Sequence, residues 1–491
     1  MRKPILVLLL LGLVWGTAVP RTQAQDESFL WSVPRLLSSP GINNTSATEM
    51  IADPHGFVHV FWTELNPEDE ITTLQYATFD GIAWTQPNDL VATAPNGTIV
   101  AFSPALGSDG TLHLVWSGQN LGPVYYTNAP ALAARSASAW ERPTTLDAPA
   151  SQLKLRVDGN NILHLMLANI YGTEPGIYYT RSEDAGDTWL TTRWLDPDIP
   201  PSATPSALNF QIDHKNGLHT TWFYVATGLG STYGTWIRYV HSLDGGENWA
   251  TPVTIDEADE SEDELQLPEP GLVLAGDAVH VVYAGNSGTQ RESRYSLDRG
   301  VTWSGTKRIL GDLQGQAIGD GLSVDSLGRV HFLGQIRWPQ AIYHAYLNPA
   351  QPEAGWSAPQ IAYLIAESDA AGRQGRYHAH RLRSSVVNGN ILVVTFSDEA
   401  NGPLYVMWRT LDDAPSIDPL PLPTPTPMPE VTATPLPGVA LTPTPPPFAG
   451  TDLATPEDPT NVGWGVWLGV LPALLLVGGV LGFRFYRMRQ A

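Results

Sequence analysis

The chain has 491 residues, a formal net charge of −22 and only 15% charged residues. That length exceeds one ordinary compact core unless the core is built from repeats, and the acidity excludes a phosphate backbone, and so nucleic acid, as partner. The absence of cysteine excludes a disulfide framework, a thiolate metal site, a cysteine nucleophile and a lipoprotein anchor.

Residues 1–24 read as a secretory signal. Arg2 and Lys3 form the charged start, Ile5 to Trp15 the apolar run, and Thr22 to Ala24 a small-x-small cleavage site. An exported chain without disulfides points to a bacterial source and must hold itself together by packing alone.

Between residues 25 and 413 one pattern returns about every 50 to 60 residues. An apolar strand ends in Asp or Asn and Gly. A second strand follows, of the form apolar-His-apolar, giving His59, His113, His164, His219, His280 and His331; a seventh copy, beginning at Asn390, lacks the histidine. Then come a strand around a tyrosine, a tight turn and a tryptophan: Trp84, Trp140, Trp189, Trp249, Trp303 and Trp356. The seventh repeat has no closing tryptophan. Trp31 to Pro34 matches the missing strand, so the N-terminal segment is expected to complete the last blade and seal a ring, leaving no open sheet edge. The expected fold is all-β, a β-propeller of about seven four-stranded blades. Equivalent histidines on different blades of a ring lie too far apart for one metal ion, so they are expected to pack within or between blades. Neither metal nor cofactor is expected.

Three turns match S-x-D-x-G-x-x-W: Ser182, Asp184, Gly186 and Trp189; Ser242, Asp244, Gly246 and Trp249; Ser296, Asp298, Gly300 and Trp303. Phe79 to Trp84 is a worn copy. Ser and Asp side chains fix a hairpin turn, glycine supplies a positive φ, and tryptophan folds back onto the sheet. The pattern resembles the Asp-box, or BNR, repeat of sialidases and their relatives, and the resemblance covers nearly all of residues 25–413. It implies boxes on the face away from the active site, with a structural role.

The resemblance also implies an arginine triad for a substrate carboxylate, an aspartate acid/base and a tyrosine nucleophile paired with glutamate. No Arg-Ile-Pro motif occurs, and the first inner strand, near Ala47 to Ala52, carries no arginine. Only Arg156, Arg381 and Arg383 fall on expected inner strands. The loops at the active-site end offer Glu64, Arg337, Trp338, Asp398 and Glu399. The segment entering the seventh blade adds Tyr377, His378, His380, Arg381 and Arg383, the densest basic and aromatic cluster of the chain. Such side chains suit an anionic sugar; the alternative is a solvated loop. Trp338 lies outside the repeat register and reads either as a sugar-stacking platform or as packing. The carboxylate run from Asp256 to Glu269 lacks the glycine and spacing of an EF-hand loop and reads as a solvated acidic loop.

Residues 414–461 form a proline- and threonine-rich tract, expected to be a disordered, extended stalk spanning on the order of 100 Å. Residues 462–483 are apolar and uncharged, long enough for one transmembrane helix, with Arg484, Arg487 and Arg489 following in a short cytoplasmic tail, residues 484–491. The expected location is a cell membrane, single-pass, with the N-terminal domain outside. Three readings stand open: a module recognising glycans or another surface protein, a tethered exo-glycosidase of the sialidase type, and a structural envelope protein.

Overall fold

The structure is a computed structural model. It describes residues 25–422, except 41–44, 69, 95, 119–121, 149, 171–174, 200–202, 229–230, 258–268, 286–289, 314–319, 337–340, 365–376 and 400–401. The chain divides into two compact units, Met1–Pro423 and Thr424–Ala491, and all described residues belong to the first. The expected signal, the stalk beyond residue 422, the membrane helix and the tail lie outside the described residues. Among the described residues no helix is long and apolar enough to cross a membrane.

Seven sheets follow one another along the chain, each built on strands that pair antiparallel in sequence order, and the N-terminal segment adds one more strand to each of the last two. The innermost strands of blades one to seven are Thr45–Ala52, Ala101–Leu106, Gln152–Val157, Ala203–Ile212, Gly271–Ala275, Asp320–Val324 and Tyr377–Val387. The second strands are buried end to end, as in Ala278–Ala284, because a blade is covered on both faces by its neighbours. A strand covered on both faces reads as a continuous apolar run rather than an alternation. The hydrophobic clusters accordingly lie between blades. One joins Phe223 and Tyr239 of blade four to Leu272 and Val281 of blade five. Another joins Val58 and Trp62 of blade one to Val393 and Val406 of blade seven.

The ring closes as the sequence predicts. Arg35–Leu36 pairs antiparallel with Val406 and Tyr405, completing blade seven. Ser32 exchanges hydrogen bonds with Trp408, and Trp31 is buried among residues of blades six and seven. An addition not legible in the repeat is that Gln25–Asp26 pairs parallel with Gln360–Ile361, making blade six five-stranded. The N-terminal segment thereby staples two blades.

The repeated histidines and tyrosines form the contact that sets one blade against the next. His59, His113, His164 and His219 place Nδ1 within 2.6–2.8 Å of the phenol oxygens of Tyr76, Tyr126, Tyr179 and Tyr239 on the adjacent third strand. On the other side, Nε2 of His59 and His219 lies 3.2 and 3.0 Å from Asp53 and Asp213 at the end of the first strand. In blade six the phenol is replaced by His344, 2.9 Å from His331. Burial pushes His113 and His164 down to about 4, with Asp109 and Asp158 respectively pulling the other way, so both rings are neutral near pH 7.

The tyrosines then reach the S-x-D-x-G-x-x-W turn of the following blade. Tyr126 donates to the Ala185 carbonyl at 2.5 Å. The rings of Trp189, Trp249 and Trp303 pack on Tyr126, Tyr179 and Tyr239 at 5.9, 5.0 and 4.8 Å. The turns are built alike. Ser182, Ser242 and Ser296 donate to Asp184, Asp244 and Asp298 at 2.7–2.8 Å and accept from the N–H of Gly186, Gly246 and Gly300 at 2.8–2.9 Å. In the worn copy Asp80 still accepts from the N–H groups of Ile82 and Ala83.

Past Asp413 the chain is still hydrogen-bonded to the packed body as far as Leu420. Residues 414–422 cross the turns that join first to second strands. Ser326 donates to the Pro415 carbonyl at 2.6 Å, and the N–H groups of Ile417 and Leu420 donate to the carbonyls of Asn388 and Pro54 at 2.8 Å. This start of the proline tract is therefore laid across blades six, seven and one. Its polar backbone is satisfied there and its prolines have no N–H to satisfy.

Neighbouring glycines separate the turn's two demands. Gly246 has φ +91° and a Cβ there would run into the Tyr179 phenol, whereas Gly245 has φ +71° with open space around it. Gly245→Ala is expected to cost about 1–2 kcal/mol for the left-handed backbone alone. Gly246→Ala should cost roughly 2–5 kcal/mol by adding overpacking against the next blade. Urea unfolding of both variants measures the gap; equal losses would contradict the inter-blade role of the turn.

Candidate functional site

Inner strands of a propeller run from one end of the axis to the other, and the cavity lies between them, lined by the starts of the inner strands in blades two, five and six and by more central residues in blades one, four and seven. It has a volume of about 510 Å³ and is walled by residues of all seven inner strands or the residues just before them. Each blade is antiparallel, so its first-to-second and third-to-fourth turns share one end. No residue of the S-x-D-x-G-x-x-W turns or of 414–422 lines the cavity.

Blade three illustrates how the sequence loads this cavity. In QLKLRV, Leu153 and Leu155 are buried in the cluster shared with blade two, while Gln152, Lys154 and Arg156 line the cavity. Alternate residues of a strand point to opposite sides, so two cations two positions apart share the bore. Blade one contributes Glu49, blade six Asp320 and blade seven Arg383, each from an inner strand. Blade five contributes Glu269, just before its inner strand, and Arg291, the first residue of its third strand. Four cations thus face three carboxylates in a protein of net charge −22.

These groups are not equally committed. Lys154 donates to Glu49, an ion pair joining blade three to blade one past blade two. Arg291 grips Asp320 with both prongs, Nε to Oδ1 at 2.9 Å and Nη2 to Oδ2 at 2.7 Å. Arg156 donates to its own strand's Leu155 carbonyl at 2.7 Å and, at 3.4 Å, to Gln211; Arg383 donates to the Leu382 carbonyl at 2.9 Å. Neither Arg156 nor Arg383 makes an ion pair among the described residues. Burial works to raise Glu49, but Lys154, Arg383 and Arg156 together outweigh it and hold this carboxyl below its usual range. Burial lowers Lys154 and Arg156, with Glu49 opposing. Burial pushes Asp320 up to about 6, against the pull of Arg291.

Of the residues singled out by sequence, Arg383 lines the cavity. Glu64 does not. It is buried, and its Oε1 accepts from Trp62 Nε1 and from the Ser39 N–H, both at 2.8 Å, which ties down the N-terminal segment. Tyr377, His378, His380 and Arg381 begin the inner strand of blade seven, and Asp398 and Glu399 end the strand paired to it, Tyr377 standing opposite Glu399. The positions of their side chains, and Arg337 and Trp338 entirely, lie outside the described residues. So does most of the acidic run; its described ends include Asp256, 3.7 Å from Arg294, and the cavity residue Glu269. The residues that sequence reasoning missed are Glu49, Lys154, Arg291 and Asp320. Lys154 and Arg156 flanking Leu155 was an available signal. Arg291 had none, since it reaches the axis from a third strand.

No protein-family model matches the sequence, and no curated protein matches it. Solved structures are similar at low identity. A protein of unknown function from Dyadobacter fermentans shares 14% identity over 76% of this chain and 96% of its own, with a TM-score of 0.44. An α-L-arabinofuranosidase of Fusarium graminearum, solved with an iminosugar inhibitor, shares 11% over 64% and 94%, with a TM-score of 0.42. A Hadza microbial sialidase shares 10% over 80% and 99%, with a TM-score of 0.38.

Glu49 is the carboxylate that keeps three neighbouring cations together. Glu49→Gln should cost about 3–5 kcal/mol at pH 7, because removing one member of a buried pair strands the other. Glu49→Gln with Lys154→Met should recover part of that loss. The downward shift of Glu49 fixes the sign with pH. Its contribution is complete above the ordinary glutamate value of 4.5 and is lost as pH falls through its lower folded value. Urea unfolding at pH 7 and in acid below pH 4 checks this; a gap under about 1 kcal/mol at pH 7 would show that the pair holds nothing in place.

Proposed function

We propose that this protein is a membrane-anchored, extracellular propeller of the sialidase-like, Asp-box kind whose axial cavity recognises anionic glycans. The observation that carries the reading is the pair Arg156 and Arg383, two cavity guanidiniums that make no ion pair among the described residues and share the longer-range attraction of Glu49 with Lys154. A guanidinium is a planar fork matched to a carboxylate, and its bonds strengthen where water is reduced. Met50 also lines the cavity and gives a sugar ring apolar surface to lie on. The acidic exterior disfavours approach of long polyanions, so the fitting ligand carries isolated acidic sugars. The charged start and apolar run of residues 1–24, and the apolar segment 462–483 followed by arginines, support export and anchoring.

A glycosidase acting on acidic sugars is the second reading. One observation favours it: two carboxylates of one cavity are driven apart, Asp320 upward by burial and Glu49 held below its usual range despite burial. A proton donor and an ionised carboxylate differ in this sense. In this reading the chain turns over fluorogenic acidic glycosides, and Glu49→Gln, with its circular dichroism intact, abolishes that turnover.

The recognition reading is tested with the purified full chain on a glycan array, followed by titration of the acidic glycans retained. Arg156→Ala and Arg383→Ala should each weaken binding by about tenfold or more, since a charged hydrogen bond contributes roughly 1.5–3 kcal/mol. Binding to neutral glycans should not change. Undiminished acidic-glycan binding by the double variant, with its circular dichroism intact, would remove the cavity as the site.

A further inference from the structure

Arg291 is the cavity cation held from both sides by one carboxylate, and that grip spans two blades. The guanidinium comes from the start of the third strand of blade five and the carboxylate from the start of the inner strand of blade six. The two side chains are 1% and 5% exposed, yet both line the cavity. The charged groups bearing on Asp320 are Arg291, Glu269 from the segment before blade five's inner strand, and Arg383 from blade seven. Its successors on its own strand, Gly321 and Leu322, carry no charge. Burial and Glu269 thus work against the ionised form, while the two arginines support it.

We propose that the Asp320–Arg291 pair is a proton-operated latch on the anionic-glycan site: a proton taken up by Asp320 releases the Arg291 guanidinium into the cavity, where it takes an acidic group of the glycan. The proposal rests on the reading of the cavity given above. With the latch closed, four cations face three carboxylates; with Asp320 neutral, they face two. Burial pushes Asp320 up to about 6, which sets the operating range. The sign follows from competition. An anion seated on Arg291 takes away the partner that stabilises the Asp320 carboxylate, so the value for Asp320 rises further on binding. A proton is therefore absorbed, and affinity climbs as pH falls from 7.5 to 5.5. Glu49 is held below its usual range and does not titrate in this window. No histidine lines the cavity among the described residues.

Calorimetric titration of the full chain with sialyllactose, at pH 7.5 and 5.5 and in two buffers of different ionisation enthalpy, reads the latch without any substitution. Binding roughly tenfold tighter at pH 5.5, with uptake of a fraction of a proton near pH 6, is the expected result. Asp320→Asn should bind at pH 7.5 about as tightly as the wild type at pH 5.5, and independently of pH. Carbon-13 titration of the Asp320 carboxyl in the ligand-free chain should show a midpoint near 6, and a midpoint below about 4 would overturn the latch. Binding that is equal at both pH values, with no proton uptake, overturns the latch and leaves the glycan site standing. No binding at either pH overturns the latch together with that site.

Discussion

The structure depends on one repeated contact: a buried histidine holds a tyrosine, and the tyrosine holds the turn of the next blade. A four-stranded blade has two apolar faces and no core of its own, so it must be covered twice. The hydrophobic clusters supply the driving force between blades but do not choose an orientation, because apolar contact is not directional. The histidine-to-tyrosine hydrogen bonds and the tyrosine-to-glycine approach are directional. They fix the angle at which blades two, three and four each meet the blade that follows. The pattern is not kept all round: His280 of blade five stacks near Tyr295, but neither of its ring nitrogens has a hydrogen-bond partner. Blade six has no S-x-D-x-G-x-x-W turn, and there Tyr295 of blade five donates to Glu353 at 2.7 Å.

Closing that circle creates the site. Seven inner strands cannot meet at a point, so between them they leave a cavity that side chains line without filling it. The two ends of the axis are consequently different in kind. The turn end is occupied by fixed hairpins, by ion pairs such as Arg299 with Asp213 across two blades, and by residues 414–422. The cavity end presents charge with few local partners.

This division explains what the sequence made legible. The repeat, the blade number and the N-terminal closure all follow from residues that recur: His59 and its equivalents, Tyr126, Tyr179 and Tyr239, and Trp31 at the far end of the chain. Recurrence is a property of the packing end. The cavity is built from residues that differ in every blade, so no period announces them. Arg383 was legible because it stands on an inner strand in a basic cluster. Glu64 was misleading for a physical reason: its position at a strand end near the axis was right, but its oxygen is spent on Trp62 and Ser39. Asp320 and Arg291 could be found only by seeing two blades brought together. Their separation of 29 residues carries no spacing rule.

The cavity charges are poorly explained as stabilising elements. Replacing a buried ion pair by apolar residues of similar volume is often neutral or stabilising, because desolvation offsets the attraction. This fold has that option in hand: blade two lines the same cavity with Ala101 and Phe102, and blade four with Ser206, Ala207 and Leu208. Blades one, three, five, six and seven instead place ionised groups there, and Arg156 and Arg383 are left with backbone carbonyls and an amide as partners. Within the ring their desolvation is offset through space by Glu49, a single carboxylate that they share with Lys154.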